Sequence, residues 1–327
     1  MRMRRAALLL LALCALTGTA AGTAPVWRTR TGALRVVGYN DMAPLLRALA
    51  RAWSVRHPDA HFAFVLHGTR TAPPALIARR SAFAPMGAAF TAADRAAYRR
   101  AFGVVPVRII VAHDALDPRA RSAPLGVFVN AANPLRRITL AVLARILGAA
   151  PGAATITRWG QLGLGGAWAV QPLHACGLAP ATALGRWMQQ HVLDGGVWSA
   201  GYTGYAESAQ VLARVTRDRD ALCFADLNGA TPAVRALALV DRRGRLWRGT
   251  RAAVVSGGYP LDRALYVYLP PRPAREACAF LRFALTRAGQ RIIAVAPPHY
   301  LPLDVAQQRT QRAVLAAVCA APLPLSG

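Results

Sequence analysis

Lysine is missing altogether from the 327 residues: every one of the 40 basic residues is an arginine. Acidic residues are few, 14 in all, so paired-carboxylate hydrolysis has little to draw on. No C-x-x-C pair occurs, which weakens zinc and thioredoxin-like readings. Walker, G-x-S-x-G, H-E-x-x-H and EF-hand patterns are also absent, and nothing points to a cofactor or an enzyme. No internal repeat recurs at 20 to 50 residues, which excludes a solenoid. Past the N-terminus no segment is long and apolar enough for a membrane span of about 20 residues. The formal charge of +26 would ordinarily suggest nucleic acid. Here the arginines are dispersed, without a block of like charge or interleaved aromatics, so they read as solvated surface that helps attract anions, and no nucleic-acid partner is expected. Arginine without lysine, together with abundant alanine, looks like the codon usage of a GC-rich genome.

What is present begins with Arg2, Arg4 and Arg5, an apolar run from Ala6 to about Ala21, and small residues before Pro25. That order is a secretory signal peptide over residues 1–24, and it places the mature chain in the periplasm. Cys14 lies inside the leader; Cys176, Cys223, Cys278 and Cys319 remain after cleavage. In an oxidising compartment they allow one or two disulfides, in any of three connectivities, or free buried thiols.

Short apolar strands alternate with helical patterns, which predicts an α/β protein of βαβ units. A strand over 33–37 runs into the turn Gly38-Tyr39-Asn40, and a helix follows with Leu45, Leu46, Leu49 and Trp53 at helical spacing. A second strand over 61–66 leads through His67-Gly68-Thr69-Arg70 into a helix from Thr71. Both turns fall where α/β sheets bind ligands. Helices are predicted over 92–102, 140–147, 180–192, 207–215, 274–285, 288–295 and 306–318, and strands over 125–129, 169–173, 221–224 and 236–240. The runs 104–111 and 263–268 read as strands crossing between two lobes. His57 and His61 are four apart, but Pro58 lies between them, so a helical metal pair is not expected. Ser208 beside Glu207 has no base nearby in sequence.

Several pieces, in order, carry a resemblance. They are Val37-Gly38 through Leu46, Gly68 to Leu76, Ala84-Pro85-Met86, Val127 to Asn130 with Asn133-Pro134-Leu135, Tyr259-Pro260-Leu261 with Arg263, and Tyr300-Leu301-Pro302-Leu303. From Leu34 to about Val305 the chain resembles the phosphate-binding, substrate-binding proteins of ABC transporters, the PstS-like branch of the type II periplasmic binding fold. The resemblance implies two lobes, each a mixed, mainly parallel sheet flanked by helices, with two hinge crossings. Lobe 1 would comprise 25–112 and 263–327, and lobe 2 would comprise 113–262. It also implies a monomer that closes on a small inorganic anion, phosphate foremost, and docks on an ABC permease in the inner membrane.

Three loops would then hold the anion. The first is Gly38, Tyr39, Asn40 and Asp41, with backbone amides at a helix start facing the anion; Asp41 would oppose a dianion unless it caps the helix. The second is Gly68, Thr69, Arg70 and Thr71, offering hydroxyls and a guanidinium. The third is the stretch from His174 through Gly177 to Thr182, where the family arginine is missing. Near Phe83 the family often has an aspartate, and Phe83 cannot replace it. A degenerate interaction or sensory module that has lost phosphate binding is the alternative, and a secreted hydrolase on the same scaffold is a third reading.

Overall fold

The computed structural model describes residues 27–120, 123–149, 152 and 154–320; the expected signal peptide lies outside them. In chain order the first half-lobe comprises β1 (Leu34–Val37), α1 (Ala43–Ser54), β2 (Phe62–Val65), α2 (Ala72–Ile77), β3 (Ala84–Met86) and α3 (Ala92–Phe102). Strand β4 (Arg108–Ala115) then leads across to β5 (Leu125–Asn130), β6 (Arg137–Thr139), α4 (Leu140–Leu147), β7 (Gly148–Ala149) and β8 (His174–Leu178). The second lobe continues with α5 (Ala183–His191), β9 (Val197–Trp198), β10 (Thr203–Tyr205), α6 (Ser208–Arg217) and β11 (Ala221–Asp226). It ends with β12 (Val234–Ala236), β13 (Ala238–Val240), β14 (Leu246–Trp247) and α7 (Arg251–Val255). The chain returns through β15 (Ala264–Tyr268) to α8 (Arg275–Ala284), α9 (Arg287–Val295), β16 (Tyr300–Leu301) and α10 (Val305–Ala320).

Local chemistry fixes several of these ends. Helix α3 starts at Thr91, whose hydroxyl accepts the Asp94 N–H while Asp94 answers the Thr91 N–H, a reciprocal box. It stops at Gly103, whose φ of +72° suits glycine. Helix α1 presents buried Leu45, Leu46 and Leu49 on one face, each contributing about 1.5–3 kcal/mol by leaving water. That face packs on α8 and α9. Beside it, Phe280 meets Trp53, Phe62 and Phe83 with ring centroids 6.3, 4.5 and 5.9 Å away, distances at which aromatic pairs add to burial.

Two large buried cores result, with a smaller third cluster around Phe90, Tyr98 and Tyr268. One gathers Leu34, Val36, Leu45, Phe83, Ile109, Leu265, Phe280, Ile293 and their neighbours from both ends of the chain. The other is drawn from residues between Leu125 and Leu261, with Leu301 added. Antiparallel β4 and β15 run between them. The sheets are mixed: β1 and β2, β8 and β10, β8 and β11, and β6 and β13 pair in parallel, whereas β5 with β11, β5 with β12 and the β16-β4-β15-β3 sheet are antiparallel. Antiparallel pairing therefore weighs more than the βαβ pattern suggests, in part because the two crossings run in opposite directions and pair with each other. The four described cysteines form Cys176–Cys223 and Cys278–Cys319 disulfides. The first joins register neighbours on adjacent strands β8 and β11.

One strand lies elsewhere than expected. Residues 166–168 form a 3-10 turn, and the strand placed at 169–173 begins at His174. His174 to Leu178 therefore form sheet rather than the first part of a loop. Its small residues mislead because β8 is a central strand between β10 and β11, and the room beside it is taken: a Cβ on Gly177 would lie 2.3 Å from the Phe224 ring and 2.8 Å from Tyr202 Oη.

Candidate anion site between the lobes

The loops after β1, β2 and β3 are tied to one another at the carboxyl ends of their strands. The Gly68 N–H donates to the Gly38 carbonyl (2.9 Å), and the Tyr39 N–H donates to the Pro85 carbonyl (2.9 Å). The Gly87 N–H donates to Thr69 Oγ1 (3.2 Å). Gly38 has to be glycine, since a Cβ there would lie 2.3 Å from Pro85 O. Gly68 has φ +121°, open to glycine and costly for other residues.

Within this knot Thr71 Oγ1 donates to the Gly68 carbonyl (2.8 Å) and so closes its own turn. Thr69 Oγ1 accepts from Gly87 and keeps its own proton to give. Arg70 is exposed, and no described residue forms an ion pair with it. The amides of Asn40, Asp41, Thr69 and Arg70 find no acceptor among the described residues, so this edge offers several donors. Asp41 does not cap the helix as expected. Its carboxylate accepts from Tyr39 Oη (2.8 Å) and Asn40 Nδ2 (2.8 Å), and it lies within the loop. Phe83 is fully buried in the core of the first half-lobe.

The third segment divides. His174 stands at the amino end of β8 with Nδ1 2.8 Å from Asp218 Oδ2, whereas Thr182 lies beyond the carboxyl end. Thr182 Oγ1 accepts the Gly185 N–H (2.9 Å) and donates to the Ala179 carbonyl (2.8 Å), a helix cap. Gly177 is buried inside the strand. Thus Gly38 to Asp41 and Gly68 to Thr71 come together, while His174, Gly177 and Thr182 occupy three different settings. Ser208 Oγ donates to Asp226 Oδ2 (2.8 Å) and accepts the Asp226 N–H (3.0 Å), a carboxylate-held hydroxyl rather than a nucleophile with a base. His57 stacks on Trp53 at 3.6 Å, and no metal-ligating cluster occurs among the described residues.

Arg263, just before β15, was not among the expected site residues. It is buried, 6% exposed, with Nε 3.5 Å from Asp114 Oδ2 on β4. Burial opposes its charge, but Asp114 foremost, then Tyr39, Asp226 and Tyr300, outweigh burial and hold its pKa above the ordinary arginine value. Asp226 ends β11, and its pKa is raised, chiefly by burial. Tyr300 Oη donates to the Asp41 carbonyl (3.1 Å). Arg263 therefore sits where Tyr39 of the first loop, Asp114 of the outgoing crossing and Asp226 of the second lobe come near one another. The sequence did carry a sign of it, an arginine opening an otherwise apolar strand.

Two α/β lobes, joined by paired crossing strands and with strand-end loops gathered at the junction, define the two-lobed binding-protein class. A family model described as the PBP superfamily domain matches residues 23–288. The chain belongs to that superfamily. It is 26% identical over 281 residues to the phosphate-binding protein PstS of Pseudomonas aeruginosa, spanning 84% of each chain. In fold it is similar to PstS from Borrelia burgdorferi (TM-score 0.61, 12% identity, covering 84% of this chain and 99% of that one). It is also similar to a possible phosphate binding protein from Planctomyces limnophilus (TM-score 0.56, 21% identity, 88% and 98%).

Proposed function

We propose that this chain is an extracytoplasmic solute-binding protein, not an enzyme, that traps a small oxyanion, phosphate foremost, between its lobes for an ABC-type importer. The observation that carries the reading is the knot at Gly38 and Gly68, which gathers unpaired amides and the Thr69 proton at one sheet edge beside Arg70. Lobe 1 is taken as 25–112 with 263–327 and lobe 2 as 113–262, and the ligand residues as Gly38 to Asp41 and Gly68 to Thr71. The named function of the Pseudomonas relative supports the ligand, and two disulfides support an oxidising compartment such as the periplasm. The working partner is an inner-membrane permease, and the working state a monomer.

Asp41 sharpens the ligand choice. A carboxylate in the loop repels a fully deprotonated anion but accepts a hydrogen bond from one that carries a proton, so hydrogen phosphate is favoured over sulfate. Thermal unfolding of the purified mature protein tests this. Phosphate at a hundred times its Kd should stabilise by about 2.7 kcal/mol, with sulfate giving little. Silence toward phosphate, arsenate and sulfate alike would refute the transport reading, and a stable protein partner under the same conditions would favour the degenerate sensory module.

A further inference from the structure

His113 lies on β4, the outgoing crossing, and is 3% exposed. Its Nδ1 is 2.6 Å from Oδ2 of Asp262, which immediately precedes the return crossing. Its Nε2 is 3.2 Å from Oε1 of Gln307 on α10. A second bond fixes which end of the Gln307 amide faces the ring: the Asp304 N–H donates to the same Oε1 (2.9 Å), while the Gln307 N–H donates to Asp304 Oδ1 (2.8 Å). A backbone N–H can only donate, so the atom it reaches is the amide oxygen. Both ring nitrogens thus face acceptors, a carboxylate on one side and an amide oxygen on the other. Neutral imidazole carries one N–H and would turn a lone pair toward one of those oxygens; only imidazolium donates at both.

We propose that His113 is a proton-operated latch between the two crossings: doubly protonated it clamps Asp262 and Gln307 together, and loss of that proton loosens the junction and lets the lobes reorient. The surroundings are consistent on every side. From β4 itself comes Asp114, next to Arg263; from the turn before β15, Asp262; from α10, Gln307, and from the residue just before that helix, Asp304. From β16, whose Leu301 is in register with His113, comes Tyr300, and Tyr259 and Tyr266 lie near Asp262. The three tyrosines are kept un-ionised by burial. Burial works against a charge on His113, but the hydrogen bond and charge of Asp262, followed by Gln307 and Asp114, outweigh it and raise its pKa. A raised folded pKa means that the latch is fully engaged below the unfolded histidine value of about 6.5 and is lost as pH rises through the folded value.

The test uses ligand-free protein, because phosphate itself titrates near neutrality. Nitrogen-15 NMR of the seven histidines should show both His113 ring nitrogens protonated in mildly acidic buffer, with the proton lost at a higher pH than from a histidine in an unfolded peptide, about 6.5. Spin labels at Arg99→Cys and Arg217→Cys should report an interlobe distance that changes with the same midpoint, and His113→Gln should remove that change. A single neutral tautomer in mildly acidic buffer, a midpoint no higher than that of an unfolded histidine, or a distance flat through the titration overturns the proposal. Both wild-type readouts stand even if His113→Gln fails to fold.

Discussion

Replacing Gly38 with alanine should dislodge the first proposed ligand loop from β3. The added methyl would sit 2.3 Å from Pro85 O and 2.9 Å from Pro85 Cδ and Cγ, far inside ordinary contact distance. Pro85 cannot yield cheaply. Its carbonyl accepts the Tyr39 N–H, and its strand is held in register with Val267 on β15. Relief therefore requires lifting Tyr39 away from β3, which loses that bond and pulls on the Gly68 to Gly38 bond. Overpacking of this kind costs about 1–3 kcal/mol, and a clash with backbone belongs at the upper end. At about 2–4 °C per kcal/mol, Gly38→Ala should melt roughly 5–10 °C below wild type, and its phosphate-induced shift should shrink or vanish. Gly165→Ala is the control: a Cβ there meets nothing within 4 Å and its φ is −95°, so its melting point should stay within about 1 °C of wild type. Differential scanning calorimetry with and without phosphate measures both quantities. If Gly38→Ala melts and binds like Gly165→Ala, the tight approach of loop to strand is not what shapes the site.

Phe83→Asp, which installs a carboxylate where the family resemblance implies one, should not improve phosphate binding. The side chain is fully buried against Phe280, and an unpaired charge there costs several kcal/mol, so loss of soluble folded protein is expected and a gain in affinity would refute the assignment. The double variant Cys278→Ser with Cys319→Ser removes the tie between α8 and the end of α10 across 41 residues and should lose about 2–4 kcal/mol in denaturant unfolding; an unchanged midpoint would contradict it. Burial alone would raise the Asp218 carboxyl, but hydrogen bonds from His174 and the Asp220 N–H, with the charges of His174 and Arg214, lower it overall. A lowered folded pKa gives stability that is present above the unfolded value of about 3.9 and lost as pH falls through the folded one. Asp218→Asn should therefore flatten the acid limb of the pH–stability curve while leaving the alkaline limb unchanged.

Much of the architecture was legible where local chemistry is strong. Helices α3 and α4 fall where expected because Thr91, Asp94 and Gly103 punctuate the first and Thr139 the second. The return crossing was visible as an apolar run bounded by Arg263. Strand β8 was not, since His-Ala-Cys-Gly reads locally as a turn and only the neighbouring Phe224 and Tyr202 explain the small residues. The loops at Gly38 and Gly68 were legible from glycine and hydroxyl spacing, yet the bond joining them was not. The ionic junction was hidden for a different reason. His113 and Asp262 lie 149 positions apart, and each sits in or beside an apolar segment where a charged group carries no local explanation.

The hydrogen bond from Gly68 to Gly38 makes the two proposed ligand loops one mechanical piece. A change in ligand preference then cannot be written into either loop alone, because displacing one drags the other. Transplanting specificity from a relative would mean moving both segments together with Pro85 to Gly87, and chimeras that exchange a single loop should fail in proportion to the mismatch at that one shared bond.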